Sequence, residues 1–439
     1  MQPHLPPELL DLIMDEAEDS PPTLHSLSLV SKQCAFQARR HIFKHVDLGF
    51  EYGDIGRVQM EWLRIIRRSM ERLRNLRKLF WKNETLASCV KSINIRVKLY
   101  DEEAVFIENL PPVLQRLTSL SSVQITGFRG YCLHWERIPK RVADAIAECL
   151  LQPGIYEVAV KGLWDAPSQL IFSSPSLKRL HLECMRGNLE QTQEHLPLPP
   201  SCTPLTELVA VTSDTFIQTP AHASPRLFSH LKTFQMDLRA SPESWTTCTE
   251  ILRACRGTVE RIVLCLRTDH ETIVYEFKED IPLLPQVKHL GIGVFSYSWG
   301  EVGESLYLGS PLFVRHMRMT LSKYGSNNLE VLESLSMQIN IITATCKVAN
   351  DHSLSILPDT EEWSFLDEYL SGLANNRLQV KLEFVIHRDL EAYESELELW
   401  DTHETEAAID QLSKEASAKL ARTGQTGRLL VAVSIKFPV

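Results

Sequence analysis

His41 and His45 stand four residues apart, the spacing that turns two imidazoles to one side of a helix and could offer two nitrogens to a metal ion. No third ligand follows at a sensible spacing, so the pair reads as surface residues, and no metal or other cofactor is expected. Residues 389–415 carry ten Asp/Glu against one Lys. That stretch reads as a solvated helix or loop, where burial cannot separate two carboxyls into an acid and a base. The cysteines lie at 34, 89, 132, 149, 184, 202, 248, 255, 265 and 346, and no two have the C-x-x-C spacing of a zinc ribbon or a redox motif. The chain also lacks G-x-x-x-x-G-K-[ST], G-x-G-x-x-G, G-x-S-x-G and H-E-x-x-H. These residues give no reason to expect an enzyme.

Composition narrows the partners. The 439 residues are 44% apolar and carry a net charge of −10. An acidic chain lacks the basic footprint that nucleic acid or an anionic membrane surface requires, so neither is expected as a partner. No apolar run approaches the roughly 20 residues needed to span a bilayer, and the acidic N-terminus is unlike a secretory signal. The cysteines are then free thiols in a reducing compartment, cytoplasmic and/or nuclear, and the single sequon at Asn83 is silent.

The elements that could do work begin at the N-terminus. In "LPPELLDLIMDEAED", residues 5–19, Leu9, Leu10, Ile13, Met14 and Ala17 recur at helical steps, and Leu12 adds a second apolar face. Ser20 before Pro21 and Pro22 caps and starts a second helix, with Leu24, Leu27 and Val30 as its stripe. A third segment, about 35–43, turns Phe36, Ile42 and Phe43 inward. Three helices this short bury too little surface to stand alone, since domains under about 40 residues usually need outside help. Their surplus apolar faces imply a partner, or else a cap over the rest of the chain.

The ordered set Leu5-Pro6-Pro7-Glu8-Leu9-Leu10, Ile13, Leu24, Leu27 and Leu29-Val30-Ser31-Lys32 resembles the F-box. That family docks substrate receptors onto the S-phase kinase-associated adaptor of cullin–RING ubiquitin ligases. By position, the resemblance implies adaptor contacts at Leu5, Pro6, Leu9, Leu10, Ile13, Leu24, Leu27 and Val30. It implies a substrate-recognition subunit of an SCF-type ligase, joined through the adaptor to a cullin and holding an unknown target protein. The alternative is a repeat scaffold without ligase association.

Residues 57–82 hold nine Lys/Arg against two Glu, a net of +7, on one predicted helix. Trp62, Ile65, Ile66, Met70, Leu73 and Leu76 form its buried stripe. The cations fall mainly off that stripe, which suits an acidic partner or the acidic C-terminal segment better than nucleic acid.

Beyond residue 88 one phrase recurs: apolar, two residues, apolar, one residue, apolar. Its triplets are Val90, Ile93, Ile95; Leu120, Val123, Ile125; Ile155, Val158, Val160; Leu177, Leu180, Leu182; Leu205, Leu208, Ala210; Leu231, Phe234, Met236; Val259, Ile262, Leu264; and Val287, Leu290, Ile292. The phrase resembles the L-x-x-L-x-L strand of leucine-rich repeats. Segments such as 141–151 and 244–256 are long enough to be the intervening helices. No unit can cover its own apolar face, so the units must stack. Leu332, Leu335 and Met337 suggest a further repeat, 378–386 a strand, and 428–437 a closing strand that covers the end of the stack. The family holds its targets on the concave strand face, for which His181, Glu207, Gln235, Arg261 and His289 are the candidates. The expected fold is therefore α/β: an N-terminal three-helix F-box, then an irregular leucine-rich-repeat solenoid of short parallel strands alternating with helices. Its expected parts are 1–48 as docking module, 49–87 as basic helix, 88–387 as solenoid, and 388–439 as acidic segment and capping strand.

Overall fold

A computed structural model of the chain describes residues 6–48, 59–97, 103–127, 133–172, 174–187, 202–239, 241–268, 280–298, 312–329, 331–343, 361–373, 375, 377–388 and 402–436. The chain divides into two compact units, Met1–Thr203 and Pro204–Val439. The boundary falls inside the stretch expected to be one solenoid, so the division differs from the four parts read in the sequence.

In the first unit the helices are α1 (Pro7–Glu16), α2 (Pro21–Ser28), α3 (Lys32–Ile42), α4 (Gln59–Lys82), α5 (Glu84–Cys89), α6 (Glu103–Arg116), α7 (Lys140–Leu150) and α8 (Ser168–Phe172). The strands are β1 (His45–Leu48), β2 (Ser92–Arg96), β3 (Ser122–Thr126), β4 (Leu133–His134), β5 (Glu157–Lys161), β6 (Leu163–Trp164) and β7 (Arg179–Glu183). β1, β2, β3, β5 and β7 pair in that order, every pair parallel, and β4 and β6 make a separate two-stranded pair. Parallel neighbours need a crossover, and the helices supply it.

The second unit repeats the plan with β8 (Glu207–Val211), β9 (Thr233–Arg239), β10 (Arg261–Thr268), β11 (His289–Ser298), β12 (Ser334–Thr343), β13 (Gln379–Arg388) and β14 (Leu429–Lys436). All its pairs are parallel and in sequence order. Its helices are α9 (Asp214–Ala223), α10 (Pro242–Ala254), α11 (Leu312–Tyr324), α12 (Ser326–Leu329), α13 (Glu361–Ser371), α14 (Thr402–Lys419) and α15 (Ala421–Gln425).

The recurring phrase is what builds these sheets. All 24 anchor residues of the eight triplets are no more than 1% exposed. Leu332, Leu335 and Met337 are buried in the same way, as are Leu378, just before β13, and Val380 and Leu382 on it. The last two anchors of each triplet alternate along a strand and so point to one side, against the helices. The first anchor sits in the turn leading in.

Those turns are stitched alike. At most of these turns, two consecutive N–H groups of the incoming turn converge on one carbonyl of the turn before. Lys91 and Ser92 reach Lys44 O at 2.9 Å each, Ser121 and Ser122 reach Lys91 O at 2.8 and 3.1 Å, and Lys178 and Arg179 reach Tyr156 O at 2.8 and 2.9 Å. In the second unit Glu260 and Arg261 reach Lys232 O at 2.9 and 3.0 Å, and Lys288 and His289 reach Glu260 O at 2.8 and 3.1 Å. Side chains satisfy further carbonyls there: Ser121 Oγ donates to Lys91 O at 3.0 Å, Thr258 Oγ1 to Leu231 O at 2.9 Å, and Asn375 Nδ2 to Leu332 O at 2.6 Å. Buried backbone groups need partners. Here each repeat supplies them for its predecessor.

Several sequence expectations change in detail. β1 is a strand where the sequence suggested only the end of the third helix, and it opens the first sheet. Ser20 makes no side-chain cap; its hydroxyl shares a hydrogen bond with Thr23 Oγ1 at 2.7 Å. Asn83 of the sequon instead caps α5, accepting the Leu86 N–H at 3.2 Å. α4 buries Met70, Leu73 and Phe80, while the side chains of Trp62, Ile65 and Ile66 lie outside the described residues. β14 is the last strand of the second unit, where a closing strand was expected. Of the acidic stretch, 389–401 lies outside the described residues and 402–415 belongs to α14. Among the described residues no helix is long and apolar enough to cross a membrane.

Candidate functional site

Two surfaces concentrate the candidate residues. The first is the three-helix module at the N-terminus. Pro7 stands in the first turn of α1, where a missing N–H costs nothing. Pro21 does the same for α2, and Ser31 caps α3 by accepting the Cys34 N–H at 3.1 Å. Inside, Met14, Ala17, Leu24, Cys34 and Ala38 form a small core, with Leu10, Leu27 and Ile42 packed against it.

Outside, apolar side chains remain uncovered. Leu9 is 48% exposed, Ile13 44%, Leu29 87% and Val30 71%. With Leu12 and Phe36 they make six of the thirteen exposed large apolar side chains found among the described residues. Single exposed apolar side chains are ordinary on a protein surface, so six on one three-helix module are an unusual share. Leu9 and Ile13 are one turn apart and so share a face of α1.

The expected adaptor contacts therefore sort themselves. Leu9, Ile13 and Val30 stand out from the module, Pro6 is exposed, and Leu10 and Leu27 are half-buried against the core. Leu24, at 2% exposure, lies in the module's own core. Leu5 lies outside the described residues. Leu12 and Leu29 join the surface although the sequence did not single them out as contacts.

His41 and His45 turn to carboxylates of their own module. His41 Nε2 lies 3.3 Å from Asp15 Oδ1, and its Nδ1 lies 3.8 Å from Glu18. His45 Nε2 is 4.0 Å from the same Glu18, which also accepts a hydrogen bond from Lys44 Nζ. The Lys44 hydrogen bond, chiefly, holds the Glu18 carboxyl below its ordinary value. These contacts tie the end of α1 to the end of α3. Among the described residues no group of three or more His, Cys, Asp or Glu could hold a metal ion.

The second surface is the open face of the second unit's sheet. Glu207, Arg261 and His289 share one register row with Thr233 and Ser334, and Gln235 lies in the next row with Val263, Gly291, Ser336 and Lys381. A groove of about 630 Å³ runs across this face. Gln235, Arg261 and His289 line it, as do Lys381, Glu383, Ser336 and Gln338 from later strands. His289 Nδ1 is 2.7 Å from Ser334 Oγ, and Lys381 Nζ 3.2 Å from Glu383. Gly291 and Gly293 line it where the Val263 and Cys265 side chains press against their backbone, so that a Cβ would lie 3.1 Å from Val263 and 2.7 Å from Cys265.

Of the other two candidates, Glu207 is not among the groove's lining residues, and His181 belongs to the first unit, on β7 beside Ala159. There the open face is laced by cross-strand ion pairs: Lys161 with Glu183 at 2.6 Å, Arg179 with Glu157 at 3.5 Å, and Arg96 with Asp47 at 2.9 Å. The lining residues that sequence reading passed over, Lys381 and Glu383, alternate with the buried anchors of β13, and that alternation was their signal.

Two of the thiols lie deep in the core. Burial pushes the thiols of Cys149 and Cys255 up to about 12, far from a thiolate at neutral pH. His134 and Asp165 pair at 2.7 Å, but the ring packs edge-on against Trp164 at 5.2 Å, and Arg186 covers that indole at 4.8 Å. This cluster holds β4 and β6 together.

Parallel strands alternating with helices, repeated on a common phrase, define an α/β repeat protein with an apolar helical module at its N-terminus. No family model matches the chain, and no curated protein matches it.

Proposed function

We propose that this chain is a substrate-recognition subunit of an SCF-type cullin–RING ubiquitin ligase, a receptor rather than a catalyst. Its N-terminal module is read as an F-box that docks on the S-phase kinase-associated adaptor. Its repeat units are read as degenerate leucine-rich repeats that hold a target protein. Acceleration would come from proximity, since a target held beside activated ubiquitin reacts at a raised effective concentration.

One observation carries the reading: Leu9, Ile13, Leu29 and Val30 stay uncovered on a module that already has a core of its own. A helical cap for the same chain would bury those side chains. The polar groove holding Gln235, Arg261 and His289 supports a target face on the repeats.

The test is co-purification of the adaptor with the full chain carrying Leu9→Asp and Ile13→Asp. Loss of the adaptor with circular dichroism and melting unchanged is the expected result. Retention of the adaptor by the folded double variant removes the docking assignment.

A further inference from the structure

The ligase reading leaves one strong feature of the first unit unused. A groove of about 520 Å³ between α4 and α6 is lined by Arg74, Arg77, Lys78, Trp81 and Lys82, with Glu108 and Asn109 across it. We propose that this groove binds an acidic, extended peptide segment of a partner protein, whose carboxylates pair with the α4 cations and whose apolar side chain packs on Trp81.

Spacing comes first. Arg74, Lys78 and Lys82 recur every four residues, so they form one stripe with steps of about 6 Å along the helix. Every second residue of an extended chain lies about 6.6 Å apart, so acids at alternate positions meet successive cations. α4 buries Met70, Leu73 and Phe80 toward its own unit, so the stripe does no packing work. Among the described residues, Arg74, Lys78 and Lys82 carry no ion pair.

The groove is also pre-arranged. Arg77 Nη1 donates to Asn109 Oδ1 at 3.2 Å, and the Asn109 amide is buried and donates to Val105 O at 2.6 Å. That contact aims a guanidinium whose planar fork suits a carboxylate. Trp81 is 67% exposed, and Arg116 stacks over its ring at 4.6 Å. Arg116 is itself paired with Glu84 at 3.4 Å. An indole left this open beside four cations offers an apolar seat within a positive rim.

Charge decides the class of ligand. The chain has a net charge of −10, so a local run of cations is a specific complement to acid and not part of a general basic field. Non-specific single-strand binding uses several aromatics on which successive bases stack, and this groove offers one.

The experiment uses the full chain and a fluorescein-labelled peptide of alternating Glu and Ala with one central Phe, followed by anisotropy. A single-stranded oligonucleotide of equal charge is the comparison. Binding of the peptide at low salt is expected, weakening as added salt screens the pairs. The Arg74→Glu, Lys78→Glu variant should lose about tenfold or more in affinity. Arg67→Glu with Arg68→Glu makes the same change in net charge on α4 outside the groove, and should stay within about twofold of wild type. Trp81→Ala should weaken the peptide without changing its salt dependence. The proposal fails if the peptide does not bind, if the Arg67/Arg68 variant loses as much as the groove variant, or if the oligonucleotide binds more tightly than the peptide.

Discussion

Leu24 and Leu29 are five residues apart at the second helix, yet Leu24 is 2% exposed and Leu29 is 87% exposed. One fills the core with Met14, Cys34 and Ala38, and the other projects from the helix's C-terminal end. The two therefore fail differently when changed. Leu24→Ala opens a cavity and should cost about 2–5 kcal/mol in the stability of the module. Leu29→Asp with Val30→Asp should leave denaturant midpoints unchanged and abolish adaptor binding. The pair of measurements separates a folding residue from a docking residue. A double aspartate variant that unfolds would show that these side chains pack on their own chain after all.

Glu18 predicts an acid-sensitive module. Its carboxyl is held low first by the Lys44 hydrogen bond; burial opposes this as the next largest effect, and the charges of Lys44, His41 and His45 each lower it by less. A carboxyl whose folded value is depressed contributes stability above its unfolded value, and that contribution fades as pH falls through the folded value. Wild type should therefore exceed Glu18→Gln in stability near neutral pH, and the gap should close below about pH 4.5. Urea midpoints of both proteins across pH 3 to 7 check this; a gap that stays constant would rule out the linkage.

How far the fold was legible depends on what a residue's neighbours in sequence reveal. The triplets were legible because burial on a strand repeats every second residue, and every anchor sits inside. β1 was not, because a four-residue strand with only Val46 and Leu48 buried has no period to read. The burial of Leu24 was not legible, since periodicity marks an apolar face without saying what covers it. His289 and Arg261 were found by position in the phrase, but which outward residues share a groove depends on register across strands 28 or more residues apart. The close approach of Val263 and Cys265 to Gly291 and Gly293 was invisible for the same reason.

Asp367 should prove the main polar tie of the C-terminal helices. Its carboxylate lies on α13 and accepts the N–H groups of Arg422 at 3.0 Å and Thr423 at 2.8 Å, and the Thr423 hydroxyl at 2.8 Å. Both Asp367 and Thr423 are buried, so removing the acceptor strands donors away from water. Asp367→Ala is expected to cost about 3 kcal/mol in denaturant unfolding of the full chain. Asp367→Asn keeps an acceptor and should lose less. Equal losses for the two variants would mean that the intact carboxylate carries the tie and that one remaining acceptor oxygen with the same volume contributes nothing.

The glycines of the groove give the last prediction, because their neighbours define what they exclude. A Cβ on Gly293 would lie 2.7 Å from Cys265 Sγ, closer than such atoms approach. At Gly291 it would lie 3.1 Å from a Val263 methyl, tight but open to adjustment. Gly293→Ala should therefore destabilise by about 1–3 kcal/mol through overpacking. Gly291→Ala should cost less. Cys265→Ala removes the clashing sulfur, so in the double variant the Gly293→Ala penalty should shrink, a coupling of about 0.5–3 kcal/mol in a double-mutant cycle. Strict additivity of the two changes would place the Gly293 requirement somewhere other than the Cys265 contact. The groove's width would then rest on the backbone alone.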